Sequence, residues 1–308
     1  MFKRITHIAI FLGLNLIFSF AIPDQQTLRD GIKMNRKESE LLYITGGEFE
    51  MGISKEQADS LYNDFFPPES EVNPSIFYNE VPNHKIRVAA FNVSKYEVTN
   101  REFKEFVDDG GYTKKELWKE LLTVELSINP VGWDRIELFK DSTGATGPST
   151  WVNGTYKEGK ADHPVDGVSW FEAMAYCRWK HYRLPAEAEW EYSARGTDQR
   201  MFPWGNSFDV INNWGARQAA ETSPVGSIQE DKSPFGVLDL SRNVAEWVGD
   251  VYAPYPGSPL GQLEKLDEEY GVLRGGMYTS IAYQMRTTAR QRHSRMDRGR
   301  GIGFRYAK

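Results

Sequence analysis

The stretch from Tyr182 to Arg195, Tyr-Arg-Leu-Pro-Ala-Glu-Ala-Glu-Trp-Glu-Tyr-Ser-Ala-Arg, constrains the fold more than any other part of this 308-residue chain. Pro185 suits the first turn of a helix, where its fixed φ helps and its missing N–H is not needed. Glu187, Glu189 and Glu191 follow where carboxylates favour the positive end of the helix dipole. Ala186, Trp190 and Ser193 or Ala194 fall along one side, at i, i+4 and i+7 to i+8. A short acidic helix must therefore bury an indole against something else.

Two further helices announce themselves by capping boxes. Thr99 with Glu102 opens one that turns Phe103, Phe106 and Val107 inward and stops at Gly110-Gly111. Ser169 with Glu172 opens another, on which Trp170, Met174, Cys177 and His181 share a side. Glu116 to Leu126 is predicted helical as well, with Leu117, Leu121 and Val124 inward. Leu41 to Ile44, Phe49 to Met51, Lys85 to Phe91, Val272 to Arg274, Met285 to Gln291 and Gly303 to Tyr306 read as short strands. Between them, Ser54 to Pro82 reads as a long acidic connection, and Asn129 to Pro164 as irregular chain clamped by indoles. Nine tryptophans and 27 glycines favour anchored loops over long helices. The expectation is one α+β domain, loop-rich and with little regular secondary structure.

A net charge of −6 argues against general nucleic-acid binding, which needs clustered positive charge. Met1 to Arg4 is a basic start, Ile8 to Phe20 an apolar run, and Ser19-Phe20-Ala21 a cleavage signature. The run is shorter than the ~20 residues of a membrane span. Residues 1–21 are therefore expected to be a signal peptide, 22–40 a leader and 41–308 the domain. An uncleaved N-terminal anchor is the other reading. The chain is expected to be exported: periplasmic, at the cell surface or secreted, with no membrane span after cleavage. Cys177 is the one cysteine, which rules out an intramolecular disulfide and fits a buried structural thiol.

Several motifs recur in order: Tyr43 to Gly52; Pro164-Val165-Asp166-Gly167-Val168-Ser169-Trp170; Arg183 to Glu191; Phe202-Pro203-Trp204-Gly205-Asn206; Asn243-Val244-Ala245-Glu246-Trp247; Arg274-Gly275-Gly276; and Gly303-Phe304-Arg305. The set resembles the formylglycine-generating enzyme (sulfatase-modifying factor) domain family, which implies an elaborated C-type-lectin-like fold from about Tyr43 to the C-terminus. Catalytic members carry two cysteines after the Arg-Gly-Gly motif, whose thiolates hold Cu(I). Here the matching positions are Ser280 and Met285, so copper is not expected and no catalytic residue is assigned. Other relatives use iron held by three histidines on an additional domain. Outside the signal segment this chain has only His84, His163, His181 and His293.

The resemblance also implies calcium, bound by Asp239 and Glu246 with the carbonyls of Arg242 and Val244. In the competing reading, Arg242 replaces a glycine and pairs with Asp239 or Glu246 itself. A second cation site would use Asn212 and Asn213. Seven arginines (Arg286, Arg290, Arg292, Arg295, Arg298, Arg300 and Arg305) crowd the C-terminal stretch. Arg290 and Arg305 are expected to pair with buried glutamates. Arg295, Arg298 and Arg300 either do the same or form an exposed anion-binding loop. The function expected is a non-catalytic binding or scaffold module for a protein or glycan at the cell surface or in secretion or gliding machinery. The alternative is a formylglycine-generating-type oxidoreductase or a divergent metal-dependent oxidase.

Overall fold

The computed structural model describes residues 40–123, 132–207, 220–261 and 269–308. The signal segment, nearly all of the leader, Val124, Asn212 and Asn213 lie outside the described residues. Two small antiparallel ribbons open the fold. β1 (Leu41–Ile44) pairs with β4 (Phe91–Ser94), and β2 (Gly47–Met51) pairs with β3 (His84–Val88). A four-stranded sheet closes it, from β5 (Ala245–Val251), β6 (Tyr270–Arg274), β7 (Arg290–Ser294) and β8 (Ile302–Phe304), in the order β7-β6-β5-β8. β8 lies parallel to β5, and the other pairings are antiparallel. The C-terminal residues then run beside β4, where Asn92 and Lys308 exchange backbone bonds of 3.0 and 2.8 Å. The α+β, loop-rich expectation is met.

Both predicted capping boxes form. Thr99 starts α2 (Asn100–Asp108) and Ser169 starts α4 (Trp170–Trp179), each hydroxyl accepting from the N–H of the glutamate three residues on. Between them, Lys115–Trp118 makes a single turn, α3, followed by a 3₁₀ turn over Leu121–Thr123, where one longer helix was expected. That stretch buries Trp118, Leu121 and Leu122. α5 (Glu187–Arg195) is the predicted indole-bearing helix, but Ala186 is its N-cap, so Pro185 precedes the helix rather than opening it. His181 has φ 59° beyond the end of α4 and is exposed, off the apolar side assigned to it.

The largest departure is Ser54 to Pro82. It contains α1 (Lys55–Phe65), opened by a Ser54–Gln57 capping box, and a 3₁₀ helix over Pro74–Glu80. Acidic surface residues masked this helix, while Ala58 and Leu61 supply its buried side. β5 was also missed, because Glu246 and Asp250 interrupt its apolar pattern. Five buried indoles tie the loops together through their N–H groups. Trp118 donates to Gly111 O, Trp151 to Asn100 Oδ1, Trp170 to Val248 O, Trp247 to Val168 O and Trp190 to Glu246 Oε2, all at 2.8–3.0 Å. An indole buried with its N–H satisfied contributes area at little polar cost. Irregular chain is fixed here by aromatic anchors.

Candidate functional site

The Arg274-Gly275-Gly276 motif ends β6 and is rigid. Arg274 is fully buried; it pairs with Glu191 and donates to the carbonyls of Thr288 and Ala289 at 2.8 and 3.0 Å. Gly275 has φ 74°, and a Cβ there would lie 2.5 Å from Leu240 O; at Gly276 it would lie 2.5 Å from Ser241 O. The two glycines thus let the 239–243 loop lie flat against this turn. Beyond them, Met277 to Ser280 folds back on itself. Ser280 N donates to Met277 O at 2.8 Å, and Ser280 Oγ accepts from Met277 N at 3.0 Å. Met285 O accepts from Ser241 Oγ at 2.6 Å. Ser280 Cβ and Met285 Cγ each come within 3.2 Å of where a Gly276 Cβ would stand, so the two side chains converge on one spot. Both residues are buried. On the far side, Tyr283 packs against Phe65, Phe66 and Phe77 with ring centroids 5.4–6.1 Å apart. The segment from α1 to the 3₁₀ helix therefore backs this loop.

Next to it lies a buried acidic centre around Arg305. The Arg305 guanidinium grips Glu246 with both oxygens, Nε to Oε2 at 2.6 Å and Nη2 to Oε1 at 2.7 Å, and Trp190 Nε1 also reaches Oε2. Asp239 Oδ2 accepts from Gly226 N at 2.5 Å. Asp231 Oδ2 accepts from Ser241 N at 3.1 Å. Glu97 Oε1 and Asp231 Oδ1 are buried with no hydrogen-bond partner. Burial, reinforced by the Asp239 charge, pushes Asp231 up to about 8. Burial pushes Asp239 up to about 6, against the bond from Gly226 N–H and the attraction of Arg305. Glu97 is raised well above the usual carboxyl range by burial and then by Asp239 and Glu246.

The sulfatase-modifying factor enzyme 1-like domain family matches residues 29–308. The chain belongs to this family. Within it, the sequence is 33% identical over 225 residues to hercynine oxygenase of Mycobacterium tuberculosis, covering 67% of this chain and 49% of that protein. It is 30% identical over 265 residues to the bovine formylglycine-generating enzyme, covering 74% of this chain and 68% of that protein. The chain thus spans about half of the first relative's length. The structure of PvdO from Pseudomonas aeruginosa shares the fold, with a TM-score of 0.55 at 23% identity, over 87% of this chain and 93% of that one.

Against the chemistry of the sulfatase-modifying factor family, the residues present do not fit copper. Ser280 offers a hard hydroxyl already bonded to Met277 N, and Met285 a neutral thioether; neither supplies the thiolate charge that Cu(I) needs. Cys177, the one thiol, is fully buried on α4 and its pKa is raised by burial. In the Asp239–Glu246 loop, where the resemblance implies calcium, both acids already have protein partners. Both Glu246 oxygens are held by the Arg305 cation, and Asp239 is bonded to Gly226. Among the described residues no group of three His, Cys, Asp or Glu side chains is placed to hold a metal ion. The principal charge partner of Glu246 is Arg305. Half-buried Arg242 and buried Val244 keep their places in the loop.

The histidines are separated by their partners. His84 packs on Tyr255, His163 meets Thr222 Oγ1 at 3.0 Å, and His293 meets Asp297 at 2.8 Å. Of the C-terminal arginines, Arg290 holds Glu187 at 2.7 and 2.8 Å, as expected. Arg298 pairs with Glu172, and Arg295 lies buried over the Trp170 ring, so only Arg300 of that trio is exposed. Glu97 and Asp231 went unread in the sequence. The signal for Glu97 was a lone acid between Tyr96 and Val98 beside a helix cap.

Proposed function

We propose that this chain is a non-catalytic binding or scaffold module of the sulfatase-modifying factor family, exported and engaging a protein or glycan outside the cytoplasm. One observation carries the reading. By the resemblance to catalytic members, Ser280 and Met285 hold the positions of the copper-binding cysteines, and the Ser280 hydroxyl accepts from Met277 N. The reading is supported by the fold, in which a frame of short sheets and anchored indoles holds out long irregular loops. Among the described residues no helix is long and apolar enough to cross a membrane.

The test is oxidation of a cysteine in a sulfatase-type peptide by the full chain. The expected result is no turnover with or without added copper. Turnover that a copper chelator abolishes would overturn the reading in favour of a formylglycine-generating-type oxidoreductase. The double variant Ser280→Cys, Met285→Cys should gain Cu(I) binding, because the two side chains already meet over Gly276. No gain would show that these two positions are not the metal pair. Copper or iron bound at stoichiometry by the wild-type chain would count for the enzyme.

A further inference from the structure

A cleft of about 180 Å³ opens between α1 and the 199–201 loop, away from the acidic centre. Its lining combines apolar Ile53, Leu61 and Met201 with Arg195, Arg200, Arg286 and the hydroxyls of Ser60 and Thr288. Two of these arginines are neutralised. Arg286 grips Glu80 at 2.6 and 2.7 Å, and Arg200 grips Asp198 at 2.6 and 2.9 Å. Arg195 is different. It is 4% exposed and donates only through Nη1, to the carbonyls of Glu50 and Gly52 and to Glu191 Oε1 at 3.1 Å. Its Nε is buried with no hydrogen-bond partner.

Glu191 cannot balance this cation alone, because its other oxygen holds Arg274. Arg274 reaches Glu187 only at 3.7 Å, and Glu187 is committed to Arg290. Three guanidiniums therefore share two buried carboxylates. Asp250 meets this ladder at its far end, accepting from Glu187 N–H and facing the Arg290 charge, away from Arg195. One positive charge is left over at the Arg195 end, where the cleft is. A buried charge without its counter-charge is costly, and an unsatisfied buried donor calls for a ligand or ordered solvent.

We infer that this cleft binds the carboxylate of a small organic acid, seated on Arg195 with its hydrocarbon part against Ile53, Leu61 and Met201. A single surplus charge matches a monoanion rather than a phosphate dianion. The volume suits a short acid; drug-sized ligands occupy about 300–1,000 Å³. Asp64, exposed at the lining, is the one carboxylate there that opposes binding. This site does not depend on whether the chain is catalytic.

Calorimetry on the full chain with butyrate, acetate and sulfate tests it. Butyrate should bind saturably at one site and more tightly than acetate, with sulfate weakest. Arg195→Gln should abolish binding, but it also removes bonds to the β2 backbone, so a second variant keeps the test clean. Ser60→Glu, on the exposed face of α1, supplies a carboxylate from the chain itself and should weaken butyrate at least about tenfold. Asp64→Asn should tighten it about threefold. The inference is overturned if the wild-type chain shows no saturable butyrate binding, if Ser60→Glu binds as well as wild type, or if sulfate binds more tightly than butyrate.

Discussion

Arg305 and Glu246 are both essentially inaccessible to solvent, and each is the other's principal charge partner. Removing one partner of such a pair leaves an uncompensated buried charge, which costs about 3–5 kcal/mol. Glu246→Ala should lower stability by that order. Glu246→Ala with Arg305→Met should recover part of the loss in urea titration, and a chelator should leave the wild-type melt unchanged. A melt that falls on chelation would restore calcium at this loop. Asp231 gives a second residue-scale test. Its pKa is raised from 3.8 to about 8 by burial, so the folded chain keeps a proton that the unfolded chain gives up. Stability from this group is whole below the unfolded pKa and is lost as pH rises through about 8. Asp239 and Glu97 are raised too, adding the same sign; Glu246 and Arg305 face them and stay paired. The melting temperature should therefore fall from about pH 5 to pH 8.5, and Asp231→Asn should flatten that slope and stabilise the alkaline end by a few kcal/mol. A wild-type melt that rises over that range would refute the assignment.

At the scale of elements, α5 is held by its buried faces more than by its start. Glu189 reaches back to Ala186 N at 2.8 Å, but the Ala186 side chain gives no cap in return. Ala186→Ser would complete the box that Ser169 and Thr99 already make on α4 and α2. It should raise stability by about 1 kcal/mol, read as a higher urea midpoint with unchanged slope. A lower midpoint would mean that the half-buried Ala186 side chain is packed too tightly for a hydroxyl. The same local rule shows why α1 was overlooked: Ser54 and Gln57 form a full capping box, yet the surrounding acidic and proline residues read as loop.

For the whole molecule, the α4 thiol is a built-in probe. Cys177 has no exposed surface, and burial raises its pKa, so the thiolate that reacts with disulfide reagents is scarce in the folded state. Labelling should require opening of the large aromatic core that Cys177 shares with Trp118, Trp151 and Trp247. Its rate should follow global stability across the variants above. Fast labelling of the wild-type chain at low denaturant, with the near-ultraviolet signal intact, would mean that α4 opens on its own.

Local chemistry in the sequence determined the capping boxes at Thr99 and Ser169, the strand Leu41–Ile44, the indole-bearing helix and the family motifs. Each of these depends on residues within a few positions of one another, and such signals survive in one dimension. The poor match to copper at the two positions that the resemblance implies was legible in the same way, since a hydroxyl at Ser280 and a thioether at Met285 are facts of residue type. Tertiary structure alone decided which arginine meets which carboxylate. Glu246 meets Arg305 across 59 positions, while Glu187 meets Arg290 across 103. It also turned an interrupted apolar pattern into the central strand β5, because Arg305 neutralises the glutamate that breaks the pattern. Charge pairing in a buried interior is set by which elements pack together, and sequence distance carries no record of that.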